Sequence, residues 1–459
     1  MNSEFNLEKI KNSSNHDVKI KELIKFLQYY FHNGRPKRFV KYVDELIEFI
    51  PGIMNKMSFE ELFYIIPNYY QFWYTVTIED NFIVNQDKIN KNLLHPFSKS
   101  LQNFLDKSNY KPLSYEINEN NYVIICRHAV TRGMYAPGSV IFSITSELLK
   151  QGKKVLVLTL GEVDKKFIEL KKTYSNLNFL KKNIDSTALK LFLNLRKICV
   201  NFRPYKIITE MPINIPTALY YSKVSSKFLY WSPGFTKVPW FDKVLLVPEL
   251  VDKKLLKNKK FVEVPRSLSF ELLNPTVNLK LVENFKNNNF IKKTNFVMGT
   301  FARYELISKT FLKLVYDLLE GNKNRKIVIA GSNDNVSAKN VLHKFVENKQ
   351  AIILGFSDVH ILGNCCDVFL DTIPYPCGSA AIEIMAKGKP VLSFDQPNLA
   401  NYKKSRIPEL IAQNQIELEL ILKKLENNVN FYNEMSKKSK AIAKAYDNGN
   451  ELVKLIITM

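Results

Sequence analysis

The sequence predicts an α/β protein made of two successive parallel-sheet halves behind an all-helical N-terminal segment, and three observations predict it. Apolar residues recur at helical spacing from about residue 20 to residue 107; strand, loop, helix and strand follow one another from residue 122; and the same order restarts near residue 295. At 459 residues the chain is too long for one ordinary core, and a prior of about 100–200 residues per domain gives two to four domains. Hydrophobic residues make up 46% of it, with only 15 Gly and 19 Pro, the composition of an ordered globular protein.

In the helical segment, "IKELIKFLQYYF" and "RFVKYVDELIEFI" carry the period, and breakers fall at Gly34-Arg35-Pro36 and Pro51-Gly52. The aromatic stretch "NYYQFWYTV" reads as core, with a ligand platform as the alternative. Residues 1–112 are therefore expected to form an all-helical domain. The rhythm then changes: "NYVIIC" is a buried-strand run, "RHAVTRGMYAPGS" a polar loop, "VIFSITSELLKQG" a helix ending at Gly152, and "KKVLVLTL" a second strand. That β-α-β unit implies a parallel crossover, and "YKIITE", "KFLYW" and "DKVLLV" extend the sheet through residues 113–285. From 286 to 459 the grammar repeats with "NFVMGTF", the helix "SKTFLKLVYDLLE", the strand "KIVIAG", a helix through "AKNVLHKFV", and the strands "AIILG", "DVFLDT" and "PVLSF". Two Rossmann-like lobes follow, with a cleft between them, and ligands in such sheets sit outside the carboxyl ends of the strands.

The stretch "DVFLDTIPYPCGSAAIEIMAKGKPVLSF" places small residues at the start of a helix directly behind a strand. A helix N-terminus offers free N–H groups and a favourable dipole, and small side chains let an anion approach; close helix packing is the other explanation. The 66 Lys and Arg against 44 Asp and Glu leave a net charge of +22, which attracts acidic partners such as nucleic acid, anionic lipid or a sugar nucleotide. The lysines are scattered, and no RNA- or DNA-binding motif accompanies them, so nucleic acid is not an expected partner. Cys126, Cys199, Cys365, Cys366 and Cys377 show no C-x-x-C pair and lie mostly in apolar runs, which reads as reduced buried thiols rather than a disulfide framework or zinc site. No run of about 18 apolar residues appears and the N-terminus is polar, so a soluble, cytoplasmic protein is expected, with peripheral contact to an anionic membrane surface as an option.

"DVFLDTIPYPCGSAAIEIMAKGKPVL" resembles the nucleotide-sugar motif of the GT-B glycosyltransferases. "GTFARYELISKTFLKLVYDLL" is similar to the segment opening the C-terminal lobe of the nucleocytoplasmic O-GlcNAc transferases and the bacterial adhesin N-glycosyltransferases, and "YWSPGFTKVPWFDKVLLVPE" resembles a third element of that group. The helical segment is similar to the N-terminal domain of the bacterial members in architecture only. The resemblance implies the GT-B fold and transfer of a sugar, a hexose or N-acetylhexosamine, from a nucleotide diphosphate, UDP-linked, to a protein or glycan acceptor, with no cofactor.

Carried over by position, the resemblance places Gly378, Ser379 and Ala380 at the pyrophosphate, Glu383 near the nucleotide ribose, and Arg303 on the phosphate side with Lys309 one turn on. A guanidinium or ammonium there would stabilise charge on the departing UDP, although both residues also read as solvated helix-end cations. Phe356, Asp358 and His360 fall in the loop that frames the base, where His360 reads equally as a structural histidine. Gly133 and Gly138 would let backbone approach the sugar or its phosphate. The chain departs from the group in three places: Leu306 stands where the O-GlcNAc transferases have a lysine, His128 is the sole histidine of the first cleft loop and sits at a different offset, and paired threonines are reduced to Ser379-Ala380. No DxD pair sits in a setting that suggests a divalent ion, so metal-independent transfer is expected, with His128 and Glu210 as candidate general bases. A non-catalytic GT-B-like subunit supporting a partner transferase is the alternative, and the altered lysine and missing histidines suit it.

Overall fold

The computed structural model describes residues 12–32, 43–79, 86–108, 116–131, 136–181, 187–211, 213, 215–232, 238, 240–251, 255–303, 306–331 and 336–459. The chain divides into two compact units. One comprises Met1–Val130, Thr145–Val247 and Asp252–Val264, the other Thr131–Ile144, Pro248–Val251 and Pro265–Met459.

In the first unit, helices α1 (His16–His32), α2 (Phe59–Glu79) and α3 (His95–Lys107) bury Ile20, Leu23, Phe26, Phe63 and Phe97, and Tyr69 and Phe72 of the aromatic stretch are core. Helix α2 starts where it does because Ser58 and Glu61 form a capping box. The Ser58 N–H donates to the Glu61 carboxylate at 2.8 Å, and the Glu61 N–H donates to Ser58 Oγ at 3.3 Å. The neighbouring Glu60 accepts the N–H groups of Ala188 and Leu189 at 2.7 and 2.9 Å, where a carboxylate meets the positive end of a helix dipole. The Phe59 and Phe192 rings pack 5.7 Å apart beside that contact, fixing the helices to the α/β layer of the same unit.

That layer is a seven-stranded, all-parallel sheet in the order β3-β2-β1-β4-β5-β6-β7. The strands are β1 (Asn118–Cys126), β2 (Lys154–Thr159), β3 (Leu177–Lys181), β4 (Pro204–Thr209), β5 (Lys227–Ser232), β6 (Lys243–Leu246) and β7 (Phe261–Glu263). The apolar runs became the central strands, as runs buried on both faces do. The edge strands β3 and β7 were not anticipated, since β3 is half exposed and β7 is three residues long.

The second unit repeats the plan with six parallel strands in the order β10-β9-β8-β11-β12-β13. They are β8 (Phe296–Phe301), β9 (Arg325–Ala330), β10 (Ala351–Leu354), β11 (Val368–Leu370), β12 (Val391–Phe394) and β13 (Ile411–Ala412), the last too short to read from sequence. Helix α4 (Lys309–Glu320) packs Phe311, Leu312, Val315 and Leu318 onto β8 and β9 around Met298, Ile327 and Ile329. Strand β8 lies between β9 and β11, so the strand order reverses between β8 and β11, and the crevice for a ligand in such a sheet opens beyond the carboxyl ends of β8 and β11. The Thr300 hydroxyl donates to the Leu370 carbonyl at 2.7 Å and ties the two ends together. All five cysteines are free and buried, and burial pushes the Cys199 thiol up to about 12. Among the described residues, no helix is long and apolar enough to cross a membrane.

Candidate functional site

Beyond β11 the chain turns through residues 371–378 into helix α5 (Ser379–Ala386). Asp371 shapes that turn. Its Oδ1 accepts the N–H groups of Thr372 at 3.1 Å and Cys377 at 2.6 Å, and its Oδ2 accepts from the Ser393 hydroxyl at 2.9 Å and from Nε and Nη2 of Arg406 at 3.0 and 2.8 Å. The Arg406 guanidinium, fully buried, also donates to the Ser405 carbonyl and hydroxyl and to the Cys377 carbonyl. Both ends of the loop thus hang on one buried ion pair whose lone pairs and protons are used, the condition under which such a pair offsets its desolvation. The Ser308 hydroxyl, which caps α4 through the Phe311 N–H, donates to the Ile373 carbonyl at 2.6 Å and anchors the loop from the side.

Helix α5 begins at Gly378 with no side-chain cap, so its first N–H groups look out of the helix start unpaired by any side chain. Gly378, Ser379 and Ala380 are half-buried. A Cβ on Gly378 would lie 3.5 Å from Nη1 of Arg266 and 3.8 Å from Cε1 of Tyr402, so glycine leaves a gap walled by a cation and a ring. Arg266 did not figure among the residues expected from sequence. The helix ends at a Schellman motif, with the Gly388 N–H on the Met385 carbonyl, the Lys389 N–H on the Ile384 carbonyl, and Gly388 at φ +75°.

One and a half turns into α5, half-buried Glu383 has its carboxyl pushed up to about 7 by burial, which the ammonium of Lys387 opposes. Burial likewise lowers Lys387 to about 8. The Lys387 ammonium spends its protons on the Leu273 carbonyl at 2.8 Å, the Glu383 carbonyl at 3.0 Å and Nδ1 of His360 at 3.0 Å. Burial first, then that ammonium, holds His360 down at about 4, so its imidazole is neutral with Nδ1 occupied and Nε2 as the donor. Asp358 caps the short helix Val359–Cys365 by accepting the His360 N–H at 2.8 Å and the Ile361 N–H at 3.4 Å, and Phe356 is 61% exposed beside it. Arg303 and Lys309 are exposed, Arg303 two residues past the end of β8 and Lys309 the first residue of α4.

The other expected residues belong to the first unit, save two. His128 and Glu210 follow the ends of β1 and β4, the corresponding pair of strands in that sheet. Buried Glu210 accepts the Arg127 N–H at 2.7 Å. His128 accepts the Glu162 N–H on Nδ1 at 3.2 Å and lies so close over Gly161 that a Cβ there would meet Nδ1 at 2.2 Å. Burial, then the charge of Arg127, holds the His128 imidazole below its ordinary value. Gly138 is buried in the helix Ala136–Lys150 of which the second unit takes the first part, and Gly133 lies outside the described residues, as do Pro233 and Gly234 of the third motif.

Two parallel sheets of Rossmann-like order behind a helical region are the architecture of a known class of solved structures. The chain matches an O-GlcNAc transferase mutant from Thermobaculum terrenum at a TM-score of 0.56 and 12% identity, over 99% of this chain and 97% of that one. The fold is GT-B. A glycosyltransferase from Rickettsia africae ESF-5 matches at a TM-score of 0.55 and 15% identity over 75% of this chain and 97% of that one. The Anabaena protein HepE, in complex with UDP and glucose, matches at 0.55 and 12% identity over 73% and 98%. Residues 282–442, which contain β8 to β13 and α5 of this GT-B chain, match the family model described as glycosyl transferases group 1. No curated protein matches the chain by sequence.

Proposed function

We propose that the protein transfers a sugar, a hexose or N-acetylhexosamine, from UDP to a protein or glycan acceptor without a metal ion. The uncapped, glycine-led start of α5, set beyond the crevice strands in the segment that matches glycosyl transferases group 1, carries the reading. Gly378, Ser379 and Ala380 hold the diphosphate with N–H groups, Glu383 accepts from the ribose hydroxyls, and neutral His360, with Phe356 and the Asp358 cap, frames the base. HepE, whose complex holds UDP and glucose, supports the donor class. In the transfer an acceptor oxygen or nitrogen attacks the anomeric carbon, the bond from that carbon to the diphosphate oxygen breaks, and negative charge grows on UDP, where Arg303 and Lys309 neutralise it. The acceptor proton passes to His128 or Glu210.

Release of UDP from a panel of UDP-sugars, run with cell-extract proteins as acceptors, tests the reading. Wild-type release that disappears in folded Gly378→Val supports it. The Val side chain fills the gap between Arg266 and Tyr402, so UDP affinity is expected to fall roughly tenfold or more, the scale of a lost charge-assisted hydrogen bond. Unchanged UDP affinity in the folded variant removes the assignment of α5.

A second expectation concerns pH. Glu383 ionises near 7, and a carboxylate accepts from a diol more strongly than a carboxyl does. Uridine binding is therefore expected to tighten as pH rises through that value, and Glu383→Gln to flatten the profile. Glu383→Ala is expected to cost about 1.5–3 kcal/mol of uridine binding. A flat wild-type profile in calorimetric titrations would count against the ribose contact.

A subunit that binds the donor without turnover is the second reading, favoured by the engagement of both candidate bases with backbone N–H groups. UDP binding with no release from any donor would select it.

A further inference from the structure

A guanidinium nine-tenths buried ordinarily spends its donors on the protein. Two arginines of the second unit do so: Arg325 donates to Glu419, Glu426 and the Leu318 carbonyl, and Arg406 to Asp371, Ser393, Ser405 and Cys377. Arg266 is different. Its side chain is 10% exposed, its Nε is enclosed without a hydrogen-bond partner, and its nearest acid, Glu249 Oε2, stands off at 3.6 Å. That is an ion-pair distance and not a hydrogen bond. Glu249 Oε2 is likewise enclosed and without a hydrogen-bond partner, while Oε1 is held by the Tyr446 hydroxyl at 2.9 Å. The carboxylate is thus fixed by a third residue at a spacing that attracts the guanidinium without consuming its donors.

Nη1 of this cation lies beside Gly378, 3.5 Å from where a Cβ would stand, at the helix start whose N–H groups have no side-chain cap. An unspent buried guanidinium and an uncapped helix N-terminus converge on one spot, and each lacks what an oxyanion supplies. Resting on the donor reading above, we infer that Arg266 is the residue that grips the diphosphate at the start of α5, and that Glu249 is a positioning residue that holds the guanidinium ready. The arrangement suits a ligand with several oxyanion atoms, because a planar fork and a row of N–H groups engage different oxygens at once.

The chemistry is that of a phosphate oxyanion, which free pyrophosphate and a nucleoside diphosphate share, so calorimetric titrations with UDP, inorganic pyrophosphate and uridine distinguish the sources. Arg266→Met leaves Glu249 buried without its cation and risks the fold, so the double variant Arg266→Met with Glu249→Gln, which removes both charges, and the charge-keeping Arg266→Lys are measured beside it. UDP and pyrophosphate are expected to lose roughly ten- to a hundredfold in affinity in the folded double variant, with Arg266→Lys in between and uridine unchanged in all. Glu249→Gln alone, with Arg266 present but less firmly placed, is expected to weaken UDP and not uridine. UDP affinity within twofold of wild type in the double variant overturns the role of Arg266 and leaves the donor reading standing. Wild-type binding of pyrophosphate but neither UDP nor uridine overturns the donor reading and leaves Arg266 as an anion site, and binding of none of the three overturns both.

Discussion

Arg406→Met is expected to lower the unfolding free energy of the second unit by about 3–5 kcal/mol, the cost of leaving one member of a buried ion pair without the other. Asp371 would keep the Thr372 and Cys377 N–H groups and the Ser393 hydroxyl but lose both guanidinium contacts, and the Cys377 carbonyl would lose its donor. A hydrophobic replacement of the whole pair is not open to this site, because the same carboxylate also satisfies the backbone of the turn. Arg406→Lys should recover only part of the loss, since an ammonium cannot serve Asp371, Ser405 and Cys377 from one plane as Arg406 does. Urea denaturation followed by a probe in the second unit measures the effect. A second-unit midpoint equal to wild type would show that the turn is held by other means. UDP affinity should fall with stability, because the turn sets where α5 begins.

The contrast between what could be read and what could not follows from the range of the interactions. Central strands such as β1 and β9 announce themselves because burial on both faces demands unbroken apolar runs, "YVIIC" and "IVIA". The edge strand β3, half in water, and the two-residue β13 make no such demand. Helix α5 was legible from both ends, by its small residues at the start and by Gly388, which takes the positive φ of its Schellman motif. Its surroundings were not. Arg266 lies in "EVPRSLS", a stretch with no period and no turn signature, and its meaning comes from Gly378 and Glu249, which only the fold brings beside it. Asp371 offered a faint signal, a carboxylate ending a buried strand, which physical chemistry says must find a partner inside. The fold names that partner as Arg406. His128 and Glu210 show the converse: both were readable as polar residues after strands, but their engagement with the N–H groups of Glu162 and Arg127 is visible only in three dimensions.

Arg303→Ala is expected to reduce single-turnover rate by roughly 10²–10³, the range for removing one group aimed at developing charge, while changing UDP affinity far less. The motive is position. Arg303 lies two residues past Phe301 at the carboxyl end of β8, the strand between β9 and β11, whose end is tied to that of β11 through Thr300. It is exposed, so its charge is well screened in the ground state, and an exposed cation contributes little to binding a ligand. In the proposed transfer, negative charge concentrates on the diphosphate as the sugar departs, and the attraction of the same cation grows with that charge. Binding at the transition state and not before lowers the barrier, so the loss should appear in turnover and not in donor affinity. Under the role inferred for it, buried Arg266 should show the opposite split, with affinity lost first, because its donors would meet the phosphates already in the ground state. Single-turnover kinetics with the identified donor, beside calorimetric UDP binding, compares the two arginines directly. Wild-type turnover in Arg303→Ala would remove it from the reaction, and equal losses in affinity and rate would make it a second binding residue like Arg266.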